Sequence, residues 1–407
     1  MACYRLRNPV QRYAWGSPRV LPDLLGEANP SQEPWAELWV GAHPRASSSI
    51  EVGGVWHSLR RFVENSPARV LGGRVAARFG AQLPFLLKVL AVERPLSLQT
   101  HPDAQAAALG WAREEAAGIA VDAPERSYPD ANPKPELVCA LGEFEAVCRF
   151  RPLAALRERA AALAARGLEA ELAASRAATP GDALAHLLTR APERRRALAE
   201  ELAACAAADE TGDAALAWVA RLHEAYPGDV AVAAPLLLHH VRLRAGEALD
   251  LAPGDLHAYL RGTAVEVMAS SDNVLRAGLT RKPIAVDELL AVLQREASDP
   301  PRVKAVPGAP GESVYETAGE WFRLSLLRPE RGAPLPVRVS RGAELLLCLE
   351  GDGELVAADG AAPVAFRRGE ALFVAGETPR YELRAGATLA RATAGLASYA
   401  APSQEAP

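Results

Sequence analysis

The sequence predicts a mainly β fold with a helical insertion, its strands closing into two barrels or jelly rolls. Three observations carry this. Short apolar runs broken by Gly and Pro fill residues 1–150 and return from 229 to 407. Between them, residues 151–228 are dominated by Ala, Leu, Arg and Glu, the strong helix formers. The stretch Arg242-Leu243-Arg244-Ala245-Gly246-Glu247-Ala248-Leu249 also has the rhythm of Phe366-Arg367-Arg368-Gly369-Glu370-Ala371-Leu372, as two copies of one barrel type would. The expected division is a discontinuous barrel from 1–150 and 229–312, a helical domain at 151–228, and a C-terminal barrel at 313–407.

Along the chain, Leu83–Val92 reads as a buried strand, and Leu96–His101 alternates like another. Asp103 precedes Ala-rich sequence and suits a helix N-cap. Leu137–Leu141 is a further strand. In the helical block Leu184, Leu187 and Leu188 share one face, as do Leu198, Leu202 and Cys205, then Leu216, Val219 and Leu222. Past 229, Leu249-Asp250-Leu251 leads through a Pro253-Gly254 turn into Leu256–Leu260 and Val265–Met268. Glu344–Leu355 reads as strand–turn–strand around Gly351 and Gly353, and Arg367–Val374 as a turn into a strand.

The 407 residues are too many for one ordinary domain. A net charge of −5 argues against a nucleic-acid binder, which needs a basic face. No run of about 18 apolar residues and no signal-peptide core is present, so neither a membrane span nor a leader is expected. The five cysteines (Cys3, Cys139, Cys148, Cys205, Cys348) are an odd number without a CxxC pair, which disfavours a disulfide scaffold and a thiolate zinc site. A cytoplasmic monomer is the expectation. P-loop, GxGxxG and GxSxG elements are absent from the sequence.

Gln99 and His101 sit two apart in a predicted strand, so their side chains share a face. With Glu136 and the distant His257 they would make a mixed N/O set that suits Zn²⁺ or another divalent metal. From spacing alone two readings stay open: metal ligands, or histidines that cap turns and fill the core. The His239-His240 doublet points two ways along its segment, and His43 has no partner in the pattern. Arg276 follows a Ser/Asp/Asn-rich loop, where it is either a surface arginine or a guanidinium offered to an anion. Lys88, inside an apolar strand, needs a partner or a pocket, because burying an ammonium alone is costly. Ser97 falls on the Gln99 side by alternation.

Taken together these segments resemble the type I mannose-6-phosphate isomerases, or phosphomannose isomerases. The matching runs are Asn8–Gly16, Ala36–Pro44, Leu83–Leu90, Leu96–Asp103, Lys134–Leu137, His257–Leu260 and Ser271–Lys282, in the family's order. The resemblance implies two cupin-type barrels with a helical domain between them. It also implies one zinc ion per chain, held by Gln99, His101, Glu136 and His257. The implied reaction interconverts mannose 6-phosphate and fructose 6-phosphate through a cis-enediol(ate), feeding GDP-mannose synthesis or mannose catabolism. Arg276 then matches the active-site arginine and stabilises the developing oxyanion. Lys134 is the candidate proton carrier, and Lys88 with Ser97 would meet the sugar phosphate. The chain departs from relatives at Pro133, where a histidine is common, at Arg281, and in the turn before His257. The rival readings are a metal-dependent cupin oxygenase and a non-catalytic sugar-phosphate-binding cupin.

Overall fold

The computed structural model describes residues 3–339 and 341–396; residues 1–2, 340 and 397–407, which include the end of the expected C-terminal block, lie outside the described residues. The strands form two antiparallel sheets, and a run of helices connects two parts of the first. Among the described residues no helix is long and apolar enough to cross a membrane.

The first sheet is built on two long neighbours, Glu136–Phe150 and His257–Ala269. Phe85–Val92 pairs with the latter, and Glu37–Val40 with Phe85–Val92. Leu238–Leu243 and Ala248–Leu251 share the other side of Glu136–Phe150. Leu98–Thr100 pairs with the start of His257–Ala269 and with Leu275–Gly278. Every side chain of Phe85–Val92 is buried, because the strand is covered on both faces. Leu87 and Val89 pack toward the second sheet with Leu345 and Leu347. Leu90 and Val92 face a separate cluster with Val138, Ala140 and Tyr259.

The second sheet is built on Glu344–Ala357 and Arg380–Thr393. The N-terminal strand Cys3–Arg7 pairs with Ala371–Val374, so the beginning of the chain joins the sheet made by its end.

Both pairs of long strands fold over on themselves. His257 is paired with Cys148 and Met268 with Glu136. A straight pair would leave His257 and Glu136 about 40 Å apart at the usual rise per residue, yet their side chains meet at 3.4 Å. Register shifts between Tyr259 and Arg261 and between Gly262 and Ala264 mark the bend. Gly262 sits there at φ +121°, and a Cβ on it would lie 2.4 Å from the Glu143 carbonyl oxygen. The second sheet bends alike, with its shift between Cys348 and Glu350. This corrects the expectation of strand–turn–strand at Glu344–Leu355. The segment is one bent strand, and Gly351 (φ +80°) serves close approach, since a Cβ would meet the Gly386 carbonyl oxygen at 2.0 Å.

The two glycine turns singled out by rhythm match bond for bond. The Gly246 N–H donates to the Ala140 carbonyl at 2.9 Å, and the Gly369 N–H to that of Cys348 at 2.9 Å. The Glu247 and Glu370 N–H groups donate to the Arg244 and Arg367 carbonyls. Both carboxylates accept in return from the Arg244 and Arg367 N–H groups.

The helical block contains Leu153–Ala162, Arg166–Ala174, Pro180–Leu188, Pro192–Ala207 and Ala214–Ala225. Its predicted apolar faces are buried, except that Cys205 is only partly so. Thr179 and Asp182 form a reciprocal capping box at the third of these helices. Trp218 Nε1 donates to Glu145 at 2.8 Å, which ties the block to a long strand of the first sheet. The mainly β expectation is corrected to a mixed fold. Leu59–Asn65, Pro67–Leu71 and Gly73–Phe79 are helices inside the first block, with Leu59, Val63, Val70, Leu71 and Val75 turned inward at helical spacing.

The bend makes a testable distinction between two nearby glycines. Gly262→Ala is expected to lose more than about 2 kcal/mol in urea unfolding, because both the backbone conformation and the contact are violated. Gly142→Ala, where a Cβ meets nothing within 4 Å, is expected to stay within about 1 kcal/mol of the parent.

Candidate metal centre and active site

The bend brings three side chains to one point. His101 Nε2 lies 3.4 Å from Glu136 Oε1, and His257 Nε2 lies 3.4 Å from Glu136 Oε2. All three residues are 1–2% exposed, and their ligand atoms fall within 4.8 Å of one another. The orientation of each ring is fixed from behind. His101 Nδ1 donates to the Asn273 carbonyl at 2.7 Å, and His257 Nδ1 to the Asp255 carbonyl at 2.9 Å. The proton therefore sits on Nδ1 and the Nε2 lone pair points forward. Among the described residues neither Nε2 has a hydrogen-bond partner, although both are buried. A buried acceptor left unmet is unfavourable, and a cation resolves it. Two ligands of a tetrahedral Zn²⁺ sit about 3.3 Å apart, close to the separations found.

The electrostatics suit a cation. Burial, with Lys134 adding to it, lowers His101 to about 4, so the ring is a neutral donor. Burial would raise the Glu136 carboxyl, but Lys134 and His101 outweigh it and hold it well below the usual carboxylate range. The donor set is two imidazoles and one carboxylate, as Zn²⁺ accepts. Gln99 is the backbone partner of both His257 and Arg276, and its Oε1 accepts from the Ser97 hydroxyl at 3.2 Å.

Lys134 Nζ lies 2.9 Å from Glu136 Oε1, the oxygen that also faces His101. Lys88 has the buried partner that its apolar strand calls for. Its ammonium bonds to Glu266 at 3.0 Å, lies 3.7 Å from Glu37, and sits 5.4 Å from the Trp39 ring centre. Burial works against that charge, yet Glu266 and Glu37 outweigh it and raise Lys88 above its ordinary value. Its charge is thus spent inside the protein, and Tyr259 continues the chain of contacts. The Tyr259 hydroxyl donates to Glu266 at 3.1 Å and lies 3.5 Å from Glu136.

A cavity of about 660 Å³ opens beside this cluster, lined by His43, Arg45, Asn132, Asp272, Arg276 and Lys282 among others. The three candidate ligands are not in its wall; Asn273, which holds His101, follows Asp272 in the chain. Burial lowers Arg276, and among the described residues no carboxylate pairs with it. Such a guanidinium at a cavity wall is prepared for an anion. Desolvation, then Arg276 and Arg45, lower Lys282.

Sequence reasoning missed Glu266, Glu37, Tyr259, His43 and Lys282 as members of the site. Glu266 carried the same signal as Lys88, a charge in an apolar run. His43, read as lacking a companion, is 2% exposed, packs edge-on against Trp39 and lies 3.7 Å from Asp272. The His239-His240 doublet takes no part in the cluster, and His240 is bonded to Glu145.

Residues 3–153 match the family model described as "Phosphomannose isomerase type I, catalytic domain". The mannose-6-phosphate isomerase of Escherichia coli (strain K12) is 39% identical over 394 residues, which covers 95% of this chain and 98% of that protein. A zinc-bound crystal structure of a mannose 6-phosphate isomerase superposes with a TM-score of 0.89 at 36% identity, covering 97% of this chain and all of the other. The Salmonella typhimurium enzyme bound to its substrate fructose 6-phosphate and zinc gives 0.88 at 36% identity over the same coverage. The chain belongs to the type I phosphomannose isomerase family.

Proposed function

We propose that this chain interconverts mannose 6-phosphate and fructose 6-phosphate, with one zinc ion held by His101, Glu136 and His257 and completed by Gln99. The observation that carries the reading is the pair of unpartnered, buried Nε2 atoms, each 3.4 Å from its own oxygen of Glu136. The bent strand pairs support a finer reading of the fold, two cupin-type barrels. In that reading residues 1–150 and 229–312 supply the catalytic barrel, apart from Cys3–Arg7, Ser49–Val52 and Val55–Ser58, which pair into the second sheet; 151–228 form the helical domain, and 313–407 the C-terminal barrel.

Moving a proton between C1 and C2 of an aldose puts negative charge on O1 or O2. The bound ion supplies Lewis acidity for that oxygen. Arg276, unpaired and partly desolvated, supplies a fixed positive charge in the same region. Lys134 is the nearest proton carrier to the ligand cluster, and it must release Glu136 Oε1 before it can transfer a proton. Lys88 neutralises Glu266 and steadies the strand behind Glu136, and Ser97 orients the Gln99 amide. The sugar phosphate then falls to Lys282 and Arg45 on the cavity wall, where a dianion relieves the mutual repulsion of the cations around Lys282.

A coupled assay for fructose 6-phosphate tests the reaction. Activity is expected to vanish with a chelator and to return with added Zn²⁺; turnover in chelated, metal-free protein would overturn the metal reading. Binding of mannose 6-phosphate without turnover would favour the non-catalytic rival, and oxygen uptake the oxygenase.

His257→Ala is expected to lose zinc, measured by elemental analysis, and activity by more than about a thousandfold, with the far-UV spectrum intact. Lys282→Ala is expected to raise KM roughly tenfold or more with a smaller change in kcat, as loss of one charge-assisted contact to the phosphate would. An unchanged KM would move the phosphate elsewhere.

A further inference from the structure

The strands around the long pair of the second sheet repeat those around the long pair of the first. Arg323–Leu327 and then Glu312–Tyr315 extend outward from Arg380–Thr393, as Phe85–Val92 and then Glu37–Val40 extend from His257–Ala269. Leu335–Arg338 leans on Arg380–Thr393 as Leu98–Thr100 does on His257–Ala269. The matched glycine turns align Ala140 with Cys348, and hence Glu136 with Glu344. The registers carry this across the sheets. Val138 is opposite Glu266, and Leu346 is opposite Arg391. Glu266 is opposite Lys88, and Arg391 is opposite Ser325. One strand further out, Glu37 corresponds to Glu312.

The set Glu37, Lys88, Glu136, Glu266 thus becomes Glu312, Ser325, Glu344, Arg391. Two carboxylates are kept, and the third is exchanged for a cation. A tyrosine reaches the carboxylate here too, but from another position: Tyr381, opposite Ala357 as His257 is opposite Cys148, donates to Glu344 Oε2 at 2.7 Å. The imidazoles are not kept. Tyr381 stands in the place of His257, its buried strand partner Val337 in the place of Gln99, and the sequence has no histidine after His257. Arg391 Nη2 donates to Glu312 Oε1 at 2.5 Å, and Nη1 lies 3.8 Å from Glu344 Oε1. The Ser325 hydroxyl donates to the same Glu312 oxygen at 2.7 Å.

We infer that the second sheet carries a lapsed counterpart of the metal centre, in which the Arg391 guanidinium supplies the positive charge that Glu312 and Glu344 would otherwise draw from a divalent ion. Glu344 is 1% exposed, and an uncompensated carboxylate there is unfavourable. Burial raises its carboxyl above the usual range, and Arg391 and the Tyr381 hydroxyl work against that rise. Burial works against the charge on Arg391, but Glu344 and Tyr381 outweigh it, so the guanidinium stays positive. This site takes no exogenous cation, and its interior serves stability. The comparison with a metal rests on the zinc reading of the first site; the coupling of Arg391 to Glu344 does not.

The test uses zinc-loaded protein and the variants R391M, E344Q and R391M/E344Q, each with a thermal melt and a zinc count. R391M is expected to lose roughly 10 °C in melting temperature, as breaking a buried pair does. The double variant is expected to recover more than half of that loss, with the zinc content of all four proteins equal. R391M melting like the parent, strictly additive losses, or a second zinc in the parent that disappears in E344Q would each overturn the assignment. If R391M fails to accumulate, the double variant decides: recovered folding supports the assignment, and failure of both overturns it. Loss of zinc from the first site alone, with the coupling intact, would count against the proposed function and leave this inference standing.

Discussion

The structure depends on one bend. Glu136–Phe150 and His257–Ala269 are neighbours along their length, yet the first residue of each must meet the other. A flat ladder forbids this. Two register shifts and a glycine without room for a Cβ let the pair turn back on itself. Once it does, Glu136 and His257 face each other. Leu98–Thr100, pairing with the start of the second strand, then brings Gln99 beside His257 and His101 to the same point. Arg276 follows from the next strand pairing, opposite Gln99. The cluster is thus a consequence of how the strand pair bends, and the loops around it add the cavity wall with Arg276.

What the sequence made legible followed from local chemistry. The Gln99-x-His101 spacing fixed a shared face, and the isolated charge of Lys88 announced a buried partner. The apolar faces of the helical block announced its core. Each of these is decided within one turn or one strand. The partner of Lys88 was not legible, because Glu266 lies far along the chain and reaches it only through a strand pairing. The bend at Gly351 was misread for a related reason. A glycine that makes a turn and a glycine that admits a neighbouring backbone look alike until the neighbour is known. The three helices from Leu59 to Phe79 were hidden by their shortness, which gives periodicity little to work on.

Electrostatics explains why one cluster of buried charge calls for an ion while another is self-sufficient. In the first sheet Lys88 is committed to Glu266 and Glu37, and among the described residues Lys134 is the lysine that reaches Glu136, the candidate ligand carboxylate. Two imidazoles are locked as acceptors toward the same space by bonds at their Nδ1 atoms. The protein thereby spends two backbone carbonyls to create lone pairs that it does not itself satisfy. That is an unfavourable arrangement for an empty core and a favourable one for a bound cation.

The two sheets also share a wall, and this bears on why the second persists. Leu87, Val89, Leu137, Cys139, Val265 and Val267 of the first sheet pack in one cluster with Leu345, Leu347 and Phe373 of the second. The residues that alternate with them, Glu136, Val138 and Glu266, point the other way, toward the ligand cluster and its supporting charges. Because side chains alternate along a strand, the outer face of the first sheet cannot be moved without moving the face that carries the candidate ligands. The second sheet therefore holds the first in register from outside, and Cys3–Arg7 ties the start of the chain into that support. A rigid backing of this kind is what a three-ligand site on a bent strand pair needs, since its ligands come from distant parts of the chain and share no local turn to hold them together.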